Sequence, residues 1–142
     1  MPLILLDTNI LSELLRKTLE PRVEAWLAAQ YGAGIYLSAV TEAELCLGVA
    51  VLPAGRRRTK LAEMMNGILQ EDFRGRILPF DSPAAAVYAA IAADRRAAGR
   101  PISQFDCQIA AIAHLHGAAV ATRNVLDFEG CGIDVIDPWQ ES

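Results

Sequence analysis

The sequence predicts an α/β fold with a mainly parallel central sheet flanked by helices. Short apolar runs alternate with longer segments of helical periodicity, the pattern of repeated strand–helix units. The first run, Leu3–Leu6, is apolar throughout, as expected of a strand covered on both faces. Glycine and proline breaks separate the segments cleanly. At 142 residues the chain fits one domain, 1–142, with a core that needs neither disulfides nor a structural metal.

The first strand ends at Asp7, and apolar residues at 10, 11, 14 and 15 then keep helical spacing, with Thr8 or Asn9 available as cap. Pro21 opens a second helix to about Gln30, with Val23, Trp26 and Leu27 on one face. The Gly32-Ala33-Gly34 break precedes a strand at Ile35–Leu37. Ser38 and Thr41 offer caps for a helix toward Gly48 or Val51, with Val40, Leu45 and Leu47 as its apolar positions. After Pro53-Ala54-Gly55, the spacing of Leu61, Met64, Met65, Ile68 and Leu69 predicts an amphipathic helix over 56–73.

A short strand follows at 77–80. Ser82-Pro83 supplies a cap and a first-turn proline for a helix to about Ala98, ended by Gly99. Ser103 caps a helix to about His116, ended by Gly117. Ala118–Ala121 reads as a strand of small residues, 122–128 as a polar connection, and 133–136 as the last strand. In such a sheet the ligand site lies beyond the strand C-terminal ends, where Asp7 and the segment 122–127 fall.

Composition narrows the function. The chain is 53% hydrophobic and 21% charged, an apolar excess that points to an oligomer interface. A net charge of −4 excludes nucleic-acid binding through one broad basic face, so any such contact is local. Cys46, Cys107 and Cys131 form neither a disulfide framework nor a zinc motif, which fits a reducing cytoplasm. The N-terminus has no leader pattern and no apolar run is long enough to span a bilayer, so no membrane association is expected.

Four carboxylates have positions that converge on that edge: Asp7 after the first strand, Glu44 early in a helix, Asp106 in a first turn, and Asp127 after a late strand. Each has an ordinary reading as well. Asp7 can cap a helix, and Glu44 beside Glu42 can be a solvated helix acid. Asp106 can complete a capping box with Ser103, and Asp127 can end a turn. Together, however, clustered acids repel one another unless a multivalent cation neutralises them, and all-oxygen donors select a hard ion such as Mg²⁺ or Mn²⁺. Such an ion orients a water nucleophile and stabilises charge on a phosphodiester, so phosphate-ester hydrolysis follows.

Four blocks occur in order: Leu5-Leu6-Asp7-Thr8-Asn9, Thr41-Glu42-Ala43-Glu44-Leu45 with Gly48, Asp106-Cys107-Gln108-Ile109-Ala110-Ala111, and Thr122-Arg123-Asn124-Val125-Leu126-Asp127-Phe128. The chain therefore resembles a PIN domain. Within that superfamily it most resembles the toxins of VapBC-type toxin–antitoxin pairs, in the FitB and plasmid-stability branch, to which the closing Ile136-Asp137-Pro138-Trp139 is also similar. The resemblance covers essentially the whole chain.

The resemblance implies a metal-dependent endoribonuclease in which Asp7, Glu44, Asp106 and Asp127 surround Mg²⁺ or Mn²⁺. Asp7 and Asp106 are direct ligands, while Glu44 and Asp127 act directly, through water or at a second ion. Water attacks the phosphodiester in line, an acid assists its deprotonation, and 5′-phosphate and 3′-hydroxyl ends result. The implied partners are the RNA substrate, a second copy of the chain as a homodimer, and a small DNA-binding VapB-like antitoxin whose C-terminal segment covers the site.

Thr8, Asn9, Thr122 and Asn124 are supporting polar groups available to fix carboxylate rotamers or to bind a scissile phosphate, though capping and turn roles also explain each. Arg123 and the cluster Arg56-Arg57-Arg58, with Lys60, are candidates for RNA phosphates; a local salt bridge for Arg123 and a solvated turn for the cluster are the alternatives. His114 and His116 suit a helix C-terminus rather than catalysis. The stripe of Met64, Met65, Ile68 and Leu69 is core or a partner groove.

Three other functions compete. A haloacid-dehalogenase-type phosphatase needs a second Asp two positions after the first, and position 9 is Asn. A receiver-like signalling domain needs a late strand-terminal Lys, and the last lysine is Lys60. A catalytically silent PIN-like interaction module would not need the acid quartet.

Overall fold

The structure is a computed structural model that describes residues 3–30 and 34–140. Five parallel strands stand in the order β3-β2-β1-β4-β5. They are β1 (Leu3–Leu6), β2 (Gly34–Ser38), β3 (Ile77–Leu78), β4 (Ala118–Ala121) and β5 (Val135–Ile136). The helices are α1 (Thr8–Leu14), α2 (Pro21–Ala29), α3 (Ala39–Ala50), α4 (Arg56–Gly67), α5 (Ser82–Ala97) and α6 (Gln104–His116). The predicted α/β class with a parallel sheet is what the structure shows. Among the described residues no helix is long and apolar enough to cross a membrane.

Central β1 pairs with both neighbours, Leu3 to Leu5 against Gly34 to Tyr36 and Leu3 to Leu6 against Ala118 to Ala121. Alternate side chains of a strand point to opposite faces, so the apolar run splits between two cores. Ile4 and Leu6 join Leu37 and Ala121 under α1, α2, α3 and α4. Leu5 joins Val120 and Ala118 under α5 and α6. In α6, Ile109 through Ala113 are all fully buried, the small side chains allowing close approach to the sheet and α5.

Several boundaries differ from expectation, each for a local reason. Asp7 itself caps α1, its carboxylate taking the Thr8 N–H at 2.8 Å, so Thr8 and Asn9 lie inside the first turn. Ser38 caps α3 by accepting the Thr41 N–H at 3.0 Å, which leaves Thr41 in the helix and fully buried. Asp81, not Ser82, caps α5, accepting the Ala84 N–H at 3.2 Å. Leu47 is 64% exposed, because the inward stripe of α3 is Thr41, Leu45 and Val49 and a residue two places from Leu45 faces away.

The helix expected over 56–73 is α-helical only to Gly67 and closes in a π-helical turn, Ile68–Asp72, where the Phe73 N–H reaches back to the Ile68 carbonyl at 3.0 Å. That wider turn still buries Met65, Leu69 and Phe73 in one core. The strands expected at 77–80 and 133–136 are shorter, and 125–128 forms a 3-10 turn inside the polar connection. The predicted break at Gly32-Ala33-Gly34 lies outside the described residues at 32 and 33, and Gly34 opens β2.

Candidate active site

The site forms where β1 and β4 end. The Asp7 N–H donates to the Ala121 carbonyl at 2.9 Å, so the acid occupies the last rung of the sheet and leaves it as a helix cap. Its side chain is 5% exposed with both oxygens occupied: Oδ1 accepts from the Thr8 N–H and Oδ2 from the Thr122 hydroxyl, each at 2.8 Å.

Thr122 is fully buried, and its oxygen also receives the Asn9 amide at 3.1 Å and the Asn124 N–H at 3.0 Å. With those two donors aimed at it, the hydroxyl proton must go to Asp7. The Arg123 N–H donates to Asn9 Oδ1 at 3.3 Å, which closes the network. Thr122, Asn124 and Asn9 therefore hold the Asp7 rotamer.

On the other side, Thr8 Oγ1 donates to Glu44 Oε1 at 2.7 Å and lies 3.3 Å from Thr41 Oγ1. This ties α1 to α3 and leaves Glu44 half-buried. Asp106 is the third residue of α6, its N–H donating to the Ser103 cap at 3.2 Å, and is also half-buried. Capping and convergence thus coexist at Asp7 and Asp106.

Burial raises Asp7 from 3.8 to about 6; the charges of Asp106 and Glu44 add to the rise, while the hydrogen bonds from Thr122 and Thr8 oppose it. Asp106 is also raised above the ordinary carboxylate range, by burial first and then by Asp127 and Glu44, against the Ser103 hydrogen bond and the Arg95 charge. The charges of Glu44 and Asp106 therefore reach Asp7 and that of Glu44 reaches Asp106, whereas Asp127, exposed in the turn Val125–Phe128, acts on Asp106 from the rim.

The grouping is loose. Among the described residues no three His, Cys, Asp or Glu side chains stand close enough together to hold a metal ion as placed. The donor chemistry nevertheless suits a hard divalent cation: the groups are carboxylates, and Asp7 and Asp106 are raised by burial and by neighbouring acids with no counter-ion between them.

The basic candidates fall elsewhere. The Arg123 guanidinium stacks over the Trp139 ring at 5.1 Å and makes no ion pair among the described residues, so the closing Ile136-Asp137-Pro138-Trp139 segment packs against the β4 edge. Arg58 Nη1 reaches the Leu52 carbonyl at 3.4 Å, while Arg56 and Arg57 line a groove that also borders Thr8 and Glu44. His114 and His116 lie at the opposite end of α6 from Asp106. Of the methionine stripe, Met65 is core and Met64 is 36% exposed.

Sequence reasoning missed Arg95. It is buried in α5, and its guanidinium donates to the carbonyls of Arg100 at 2.6 Å, Asp127 at 3.1 Å and Glu129 at 2.6 Å. It thereby holds the loop that carries Asp127. The available signal was its place on an apolar stripe, Ala84, Tyr88, Ile91 and Arg95, at three- and four-residue intervals. Glu13 was missed too: it is buried on α1, paired with Arg16 at 3.1 Å and accepting the Glu20 N–H at 3.0 Å.

Comparison with known proteins gives a match to the family described as PIN domain over residues 4–126. VapC ribonuclease Y4jK of Sinorhizobium fredii is 44% identical over 138 residues, covering 97% of this chain and 99% of the relative. Toxin FitB of Neisseria gonorrhoeae is 44% identical over 139 residues, covering 98% of this chain and all of FitB. The crystal structure of FitAcB from Neisseria gonorrhoeae superposes with a TM-score of 0.91, at 98% coverage of this chain and 100% of that one.

Proposed function

The chain belongs to the PIN-domain family, and from that premise we propose that it is the ribonuclease toxin of a toxin–antitoxin pair, with the whole of 1–142 as one functional unit. The observation that carries the reading is Asp7, buried at the strand edge with Glu44 and Asp106 in electrostatic reach. The match sets aside the phosphatase and receiver alternatives.

Asp7 and Asp106 are the residues we assign to hold a Mg²⁺ or Mn²⁺ ion, with Glu44 beside them and Asp127 at the rim. When bound, such an ion supplies positive charge to the phosphodiester and acidifies the attacking water. The remaining work belongs to the chain. Thr122 and the Thr8 N–H fix the two oxygens of Asp7, so the carboxylate meets its ligand without searching rotamers. Thr8 holds Glu44 Oε1 and so ties that carboxylate to the start of α1. To Asp127, exposed at the rim with its backbone held by Arg95, we assign the acceptance of the proton of the attacking water.

The resemblance to VapBC-type toxins and the overlay on FitAcB support a small DNA-binding antitoxin as partner. Leu47 on α3 and Val51 just past its end, both exposed, support a homodimer. Three free cysteines, with burial pushing the Cys107 thiol up to about 11, suit the cytoplasm as its place of action.

The test is cleavage of RNA by the purified chain. With Mg²⁺ or Mn²⁺ it yields 5′-phosphate ends, a chelator stops it, and Asp106→Asn lowers the rate about a hundredfold or more while circular dichroism stays unchanged. Cleavage that survives both chelation and Asp106→Asn contradicts the mechanism.

A further inference from the structure

Arg95 follows Ala84, Tyr88 and Ile91 on the inward stripe of α5 and is 7% exposed. An apolar side chain there would complete the stripe, whereas taking a guanidinium out of water is costly. Among the described residues no carboxylate pairs with it. Its acceptors are three backbone carbonyls and, at 3.5 Å, the Cys131 sulfur. The core does not account for an arginine at this position; the carbonyls do.

Those carbonyls belong to two separate loops. Nε donates to Arg100 in the connection between α5 and α6, and the Arg100 N–H returns to the Arg95 carbonyl at 2.9 Å. Side chain and backbone together thus fasten that connection to Arg95. Three residues on, Ser103 caps α6 and receives the Asp106 N–H at 3.2 Å. Nη1 donates to Asp127 itself at 3.1 Å and to Glu129 at 2.6 Å, in the connection after β4. A guanidinium is a rigid planar fork, so one side chain relates Asp127 to the start of α6, where Asp106 stands. The pair of Arg100 with Glu129, at 3.0 Å, joins the same two loops at the surface, but an exposed pair of this kind holds little.

We propose that Arg95 is a positioning residue for RNA cleavage: by clamping the two loops from behind, it sets Asp127 at its working distance from Asp106. Turnover then depends on a side chain that touches neither substrate nor metal. The proposal rests on the ribonuclease reading and on the assignment of Asp127 as proton acceptor. A proton acceptor works only within hydrogen-bond reach of the attacking water, so a loop displaced by about 1 Å loses rate while the fold survives. An arginine that served stability alone would leave turnover untouched in any variant that stays folded.

The experiment measures kcat and KM for an oligoribonucleotide in Arg95→Lys, which keeps the charge and loses the fork. Ile91→Ala is the control, a truncation in the same core one turn earlier, with no part in the hydrogen bonds to the loops. Circular dichroism and urea unfolding verify that each chain is folded at the assay temperature. Arg95→Lys lowers kcat about tenfold or more and leaves KM within about twofold, while Ile91→Ala keeps both within about twofold. In an Asp127→Asn background Arg95→Lys removes no more than about a further twofold, because the clamp acts through the carboxylate already lost. Without metal or substrate, exchange of the Asp127 and Glu129 amides, which close the turn onto Asn124 and Leu126, quickens in Arg95→Lys and not in Ile91→Ala. Where Arg95→Lys does not fold, Arg95→Gln, which buries no charge, takes its place.

Full kcat in a folded Arg95→Lys or Arg95→Gln overturns the positioning role, and so does an equal fall in kcat for Ile91→Ala. Unchanged exchange of the two amides, or an undiminished effect of Arg95→Lys in the Asp127→Asn background, overturns it as well. If Asp127→Asn alone keeps full kcat, the positioning role falls while the ribonuclease reading stands. A chain that cleaves no RNA breaks that reading itself, and the positioning role with it.

Discussion

Thr8 and Glu44 stand at the boundary between two regions of opposite construction. On one side Asp7 is almost fully buried, each oxygen held by a donor whose own position is fixed by the sheet edge or by a second hydrogen bond. On the other side Arg56, Arg57 and Lys60 extend into solvent without ion-pair partners among the described residues. Charge that must meet a substrate at one geometry is buried and locked, and the cost of that burial is carried as a raised pKa. Charge that has only to attract is left flexible, where it costs the fold little. Changes to the first region should therefore move stability strongly, and changes to the second should scarcely move it.

The largest effect is expected at Arg95. Arg95→Met strips donors from three carbonyls in the loop carrying Asp127 and should cost about 3 kcal/mol or more in urea unfolding. Arg95→Lys, which keeps the charge but not the fork of donors, should regain only part of the loss. A loss within about 0.5 kcal/mol for Arg95→Met would remove the locked loop from the comparison.

Asp7 should act in the reverse direction. In the unfolded chain it ionises near 3.8, in the fold near 6, so without metal the unfolded state gains as pH rises between those values. Stability therefore falls from about pH 4 to about pH 6 and is flat above, by about 3 kcal/mol, and Asp106 shifts in the same direction. Asp7→Asn should remove most of this slope and make the metal-free protein more stable at neutral pH. Urea titrations across that pH range check the sign.

Two smaller changes complete the series. Thr122→Val leaves one Asp7 oxygen and two donors without a partner and should cost about 1 to 2 kcal/mol. Lys60→Ala should stay within about 0.5 kcal/mol of the unaltered protein. If Lys60→Ala proves as costly as Thr122→Val, the groove is built into the fold and the contrast fails.

The sequence made the two regions legible to different degrees. β1 and its terminal acid could be read from Leu3–Leu6 because a wholly apolar run has few alternatives in an α/β chain, and Ser103 and Gly117 bounded α6 because caps act locally. The contrast between Asp7 and Asp127 could not be read. Both follow a strand at the same edge, but only the first lies under the hydroxyl of a buried threonine more than a hundred residues away. Arg95 escaped for a related reason: its partners are backbone carbonyls, which leave no residue-type signal. The arginine cluster was visible as a run, yet the groove it shares with Arg16 and Lys17 needed the packing of α1 beside α3 and α4.

Mn²⁺ titrated calorimetrically into the unaltered chain and into Asp7→Asn at neutral pH tests the central claim that the raised carboxylates are held ready for a hard cation. The account predicts saturable binding to the unaltered chain and affinity about tenfold weaker or worse in Asp7→Asn, even though that variant is the more stable metal-free fold. Equal affinity in the two proteins would contradict it.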